Sequence, residues 1–146
     1  MKVSNILQEK NREVITITPD IKIHEAMKLL ISNNISSLPV MDVKDTLIGI
    51  ISDKDIFRAA FNDKEGFAST TVDTLMTRDV IVGLPDDDIS YISGVMTQNR
   101  VRHIPIVENE KLVGLISIGD IVKTQMKKMK IENRYLKQYV HGNYPG

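Results

Sequence analysis

The chain has 146 residues, 42% of them apolar, with nineteen basic side chains against nineteen acidic ones and no cysteine. That length and apolar content suit one ordinary domain with a true core, and the charge balance leaves no global field to draw nucleic acid or an anionic membrane, so phosphate binding has to come from local placement. The missing cysteines exclude disulfides, thiolate zinc sites and a cysteine nucleophile, and the lack of tryptophan among few aromatics argues against a stacking platform for single strands.

In chain order, Met1-Lys-Val-Ser-Asn5 leads directly into mixed polar sequence, with no apolar stretch suited to a signal peptide or a membrane span, and a soluble cytoplasmic protein is expected. Residues 14–18 are a short β-rich run. Pro19-Asp20 then opens a helix whose apolar positions Ile23, Ala26, Met27 and Leu30 follow i, i+3, i+4, i+7. Asn33-Asn34 ends it, and the apolar runs 37–41 and 47–52, joined by a polar turn, read as a β-hairpin. A helix over 54–62 closes the unit, with residues 61–71 as the linker.

The same order then recurs. A strand over 80–84 precedes a helix that carries Ile89, Ile92, Ser93 and Met96 on one face. A hairpin of 103–107 and 112–117 turns at Glu108-Asn-Glu-Lys111, and a helix starts at Ile118. The proline pairs Pro19/Pro85 and Pro39/Pro105 are each 66 positions apart (85 − 19 and 105 − 39). Further on, Leu47, Gly49, Ser52, Asp55 and Ile56 map to Leu112, Gly114, Ser117, Asp120 and Ile121 one position closer. Upstream, Val3, Ile6 and Leu7 match Val72, Leu75 and Met76, with the length difference confined to the polar stretch 8–13. Indels restricted to polar turns point to a structural duplication.

Each unit contains glycine, two apolar residues, serine, two variable residues and aspartate: Gly49 to Asp55, and Gly114 to Asp120. Two readings of Ser52-x-x-Asp55 and Ser117-x-x-Asp120 stand side by side. They are capping boxes that start helices, or they border an anion seat at helix N-termini, where unpaired N–H groups and the helix dipole favour negative charge. The last helix continues past its counterpart, with Val122, Met126, Met129, Asn133, Leu136 and Val140 spaced 4, 3, 4, 3 and 4. That seam suits a homodimer contact with Asn133 setting register, or a helix lying across its own sheet. The lysines and arginine along it, Lys123 to Lys137, suit a solvated face better than a nucleic-acid patch.

The duplicated pattern resembles the CBS-domain pair, the tandem module named after cystathionine β-synthase, and the resemblance covers nearly the whole chain. It implies an α/β (α+β) fold: two tandem β-α-β-β-α repeats, residues 1–66 and 67–124, packed through their sheets with pseudo-twofold symmetry. Residues 125–146 form a helical extension and tail. The resemblance further implies a stand-alone regulatory module, not an enzyme, which senses AMP, ADP, ATP, NAD or S-adenosylmethionine in the cleft between repeats. It would form flat homodimers and signal through an unidentified effector protein. Carried onto this chain, Asp55 and Asp120 would accept from ribose hydroxyls and Ser52 and Ser117 would donate to phosphate. Adenine would lie against Ile17, Leu38, Val82 and Ile104, its edge read by the backbone near Ser37 and His103. Lys54, Arg100, Arg102 and His103 would supply positive charge, and Gly119 would let a ligand approach the second turn. Arg102 is equally an ordinary surface cation. The competing reading is a ligand-free structural dimerisation module.

Other chemistry finds little support. His24, His103 and His141 lack metal-ligand spacing, and Asp86-Asp-Asp88 begins a helix whose dipole favours carboxylates. No glycine-rich dinucleotide or P-loop motif occurs, and Ser117, His103 and Asp120 carry no nucleophile-elbow signature.

Overall fold

The computed structural model describes residues 1–129. The outer part of the C-terminal seam, Asn133, Leu136 and Val140, falls outside the described residues. The chain opens with α1 (Val3–Lys10), then α2 (Ile23–Asn33), the hairpin β1 (Ser37–Met41) and β2 (Leu47–Ser52), and α3 (Asp53–Asn62). A single 3-10 turn at Phe67–Ser69 and the short α4 (Val72–Leu75) lead to α5 (Ile89–Asn99), the hairpin β3 (His103–Glu108) and β4 (Lys111–Ser117), and α6 (Ile118–Met129). Both hairpins are antiparallel and shift register at the same place, between Val40 and Met41 and between Ile106 and Val107. The two halves thus repeat one plan, down to the left-handed residues that end α2 and α5, Asn34 (φ 52) and Arg100 (φ 55).

The expected strands over 14–18 and 80–84 shrink to single parallel bridges, Ile17 with Val40 and Gly83 with Ile106. Prolines are the reason. Ile17 N donates to Pro39 O at 3.0 Å and Met41 N to Ile17 O at 2.8 Å. The next rung outward needs an N–H at Pro19, and the rung before needs one at Pro39, and neither residue has it. Pro85 and Pro105 bracket the Gly83 bridge in the same way, with Gly83 N on Pro105 O and Val107 N on Gly83 O, both at 2.9 Å.

The hydrophobic residues form two cores, and each borrows the short helix that precedes the other half. Val3 and Ile6 of α1 join Ile89, Ile92, Met96, Ile104, Ile106, Ile116 and Ile121. Val72 and Met76, on and just after α4, join Ile17, Ile23, Ala26, Leu30, Leu38, Val40, Ile51 and Ile56. Matching backbone bonds tie each helix down: Val3 N to Asp87 O and Ser4 N to Pro85 O on one side, Val72 N to Ile21 O and Asp73 N to Pro19 O on the other, all at 2.9 or 3.0 Å. This exchange follows from burial. The apolar stripe of an eight-residue α1 is too short to fold on its own and gains its helix by covering β4. At both strands a glycine lets the incoming side chain settle onto the backbone: Leu7 on Gly114 and Met76 on Gly49.

Candidate functional site

At each strand-to-helix junction the helix's first N–H groups can be accounted for one by one. In α3, Ser52 N donates to Asp55 Oδ2 (3.0 Å), Asp53 N to Ser36 O (2.9 Å), Lys54 N to Asp53 Oδ1 (2.7 Å) and Asp55 N to Ser52 Oγ (3.3 Å). All four are satisfied. In α6, Ser117 N donates to Asp120 Oδ2 (2.8 Å), Ile118 N to Arg102 O (2.8 Å) and Asp120 N to Ser117 Oγ (3.1 Å). Gly119 N has no partner among the described residues. A Cβ at Gly119 would meet only Ser117 Oγ, at 3.5 Å, so the backbone there is approachable. Both serine–aspartate pairs therefore close capping boxes, and only the second leaves a helix-start donor open.

Beside this second junction lies a cleft of about 800 Å³ between the halves. Its walls include Leu7, Lys10, Arg12, residues 33–37, Asp53, His103, Leu115, Ser117 and Asp120. Lys10 reaches from the last turn of α1 and donates to Asp120 Oδ2 and to Leu115 O, both at 2.8 Å. His103 Nε2 and Ser36 Oγ share a hydrogen bond of 2.9 Å whose donor depends on the imidazole tautomer. Ser37 is 2% exposed, and its Oγ is buried with no partner among the described residues.

Two groups in the cleft titrate away from their usual values. Burial pushes the Asp120 carboxyl up, but the hydrogen bond from Lys10, the Ser117 amide and the Lys10 charge together outweigh it and hold Asp120 below the ordinary carboxylate value. Burial, helped by the Arg102 charge, pushes the His103 imidazole down against the pull of Asp53 and Asp120. The cleft is thus built to keep Asp120 charged and His103 neutral.

A family model for the CBS domain matches residues 3–62 and again 72–127. The chain belongs to the CBS-domain family. CBS pairs are regulatory ligand-binding modules. The CBS-domain-containing protein of Agrobacterium tumefaciens superposes on this CBS pair with a TM-score of 0.82 at 32% identity, covering 85% of this chain and 92% of that one. The CBS domain pair of protein MJ0100, solved in complex with 5′-methylthioadenosine and S-adenosyl-L-methionine, superposes with a TM-score of 0.78 at 30% identity, over 88% of this chain and 98% of that one. Elsewhere the pair is part of a larger protein: 77% of this chain is 37% identical to inosine-5′-monophosphate dehydrogenase of Methanocaldococcus jannaschii and spans 22% of that enzyme.

Of the residues singled out from sequence, the CBS pair brings Ser37, His103, Ser117 and Asp120 to one cleft, and Gly119 lies in the turn between the last two without lining it. Ser52, Lys54 and Asp55 sit at the equivalent junction of the other half, where Thr77 Oγ1 donates to Asp55 Oδ1 at 3.4 Å. Ile17, Leu38 and Ile104 are interior core residues, whereas Val82 is 44% exposed. Arg100 is held at the end of α5, and Arg102 pairs with Asp53 at 2.7 Å on the open rim. Ser117 Oγ serves as a cap acceptor and His103 faces Ser36, so the two are not aligned as nucleophile and base. Sequence reasoning misses Lys10, because the repeat alignment places it in the polar stretch 8–13, whereas α1 runs through it. Its position three residues after Leu7, on the same helical face, was the available signal. No helix among the described residues is long and apolar enough to cross a membrane.

Proposed function

We propose that the cleft beside Ser117 binds an adenosine-containing ligand, with AMP, ADP, ATP and NAD as the candidates, and that occupancy is passed to a partner protein. The observation that carries this reading is the coincidence in one cleft of Asp120, held below the ordinary carboxylate value, and the unpartnered hydroxyl of Ser37, with the open Gly119 N–H in the turn between the cleft residues Ser117 and Asp120. A carboxylate accepts from the two hydroxyls of a ribose cis-diol, and a helix-start N–H receives an anion. Ser36 and Ser37 offer backbone and hydroxyl groups for a purine edge, and Ile15 and Ile35 offer an apolar wall. The adenosyl ligands bound by the MJ0100 pair support the same chemistry here. Arg102 is committed to Asp53, so positive charge inside the cleft comes from Lys10 and Arg12.

Signalling requires that the ligand bind two conformations unequally. We assign the output surface to the helices, where Ile31, Phe57 and Phe61 are 78%, 78% and 79% exposed and form an apolar face suited to a flat homodimer. A second reading, a structural module with ligand-free clefts, is favoured at the first junction, where every helix-start N–H already has a protein partner. Thermal shift with AMP, ADP, ATP, NAD and S-adenosylmethionine tests the proposal, since a ligand at about a hundred times its Kd adds about 2.7 kcal/mol. A shift that Asp120→Ala abolishes supports it, and no shift with any member of the panel replaces it with the structural reading.

A further inference from the structure

The two junctions are copies in backbone but not in charge. In the first, the edge of β2 is closed by backbone: Ile50 N donates to Thr77 O (3.0 Å) and Thr77 N to Ile50 O (2.8 Å), and beyond the Ser52 amide and hydroxyl of its own capping box Asp55 receives the neutral Thr77 hydroxyl rather than a cation. In the second, α1 stays helical through Lys10, so no such backbone rung forms. The carbonyl equivalent to that of Ile50, Leu115 O, is capped by the Lys10 ammonium, which also pairs with Asp120. The ion pair is partly buried, with side-chain exposures of 30% for Lys10 and 19% for Asp120.

We infer that Lys10 is the specificity-determining residue of the cleft, and that it makes the site select phosphorylated nucleosides over uncharged ones by having to leave Asp120 when ribose binds. This rests on the reading of the cleft as an adenosyl site. A cis-diol seats on both oxygens of a carboxylate, and Asp120 Oδ2 already accepts from Ser117 N and from Lys10. The amide belongs to the helix cap and stays. The ammonium is the contact that yields. Drawn off Asp120, it is a cation with Leu115 O as its remaining protein acceptor, in a setting where an unpaired charge is costly. A ligand phosphate restores an anionic partner within reach of the same side chain and of Arg12 on the same wall. A nucleoside without phosphate offers nothing in return. Asp55 carries no such toll, because Thr77 is neutral.

Calorimetric titration with ADP and with adenosine tests this on wild type, Lys10→Met and Lys10→Arg. Wild type is expected to prefer ADP by at least about tenfold, and in Lys10→Met adenosine tightens while ADP weakens, closing the gap to about threefold or less. Lys10→Arg, which keeps the charge, retains the preference for ADP. Should Lys10→Met fail to fold, Lys10→Gln keeps a donor for Leu115 O and serves the same comparison. Binding of both ligands with a ratio indifferent to residue 10, or equal binding by wild type, overturns the inference and leaves the cleft assignment standing. Silence from both ligands with wild type overturns this inference, and silence from the whole thermal-shift panel overturns the cleft assignment as well.

Discussion

Leu7 of α1 rests directly on the backbone of Gly114 in β4. A Cβ at Gly114 would stand 2.8 Å from Leu7 Cδ1, closer than real carbons approach. The contact is what docks the chain's first helix onto its second half, and it is repeated by Met76 on Gly49.

Gly114→Ala therefore overpacks this seam and is expected to lower stability by about 1–3 kcal/mol in urea denaturation. Gly49→Ala should cost more, because its Cβ would also lie 3.1 Å from the backbone Thr77 O, which cannot swing aside as a side chain does. Adding Leu7→Ala to Gly114→Ala should relieve the clash, giving a coupling of at least about 0.5 kcal/mol. Strict additivity would remove Leu7 as the partner.

Ser37→Ala separates stability from binding. Its hydroxyl is buried and unpaired, and an unsatisfied group of this kind costs about 1–3 kcal/mol, so the ligand-free variant should melt above wild type. In the same variant the nucleotide-induced shift should shrink. A melting temperature below wild type would mean that Ser37 has a partner that matters.

Two of the ion pairs that join the halves should weigh differently. Arg102 and Asp53 are 53% and 52% exposed, and Arg102→Ala is expected to cost no more than about 1 kcal/mol. Lys10→Met strands the more buried Asp120 and should cost more than Arg102→Ala under the same conditions. Equal losses would show that burial of the Lys10 pair has no energetic weight.

Acid should destabilise the fold in two steps. The His103 value lies below its ordinary 6.5, so the unfolded chain takes up that proton first. Stability is full above about pH 6.5 and declines with acidification until the folded ring also titrates. Asp120 lies below its ordinary 3.8, so its contribution persists above that pH and is lost as pH falls through the lowered value. Melting temperatures between pH 8 and 5 should fall less steeply in His103→Asn than in wild type. Identical slopes would absolve His103.

The exposed aromatics of α3 make a prediction about assembly. Phe57→Asp should leave the fold intact, since the side chain is 78% exposed, and on the proposed homodimer contact wild type should sediment as a dimer and this variant as a monomer. An unchanged dimer would place the interface elsewhere.

Much of this architecture was legible in the chain itself. The expected hairpin 37–41 with 47–52 coincides with β1 and β2, because two short apolar runs joined by a polar turn depend on neighbours in sequence. The shortened flanking strands were also written there, in Pro19, Pro39, Pro85 and Pro105, though as missing donors rather than as pattern. The serine–aspartate caps were anticipated as one of two readings, and the second junction keeps both, since the box closes while Gly119 N stays open.

What the sequence by itself determined was the repeated order of helices and hairpins and the serine–aspartate cap of each junction, since capping, proline and periodicity act within a few residues. Only the tertiary structure decided which half each leading helix covers, and hence that Lys10 meets Asp120 across 110 positions. Local preference is blind to that pairing. It is set by which apolar face most completely buries Val3 and Ile6, and a charge carried on the same helix goes where the burial takes it.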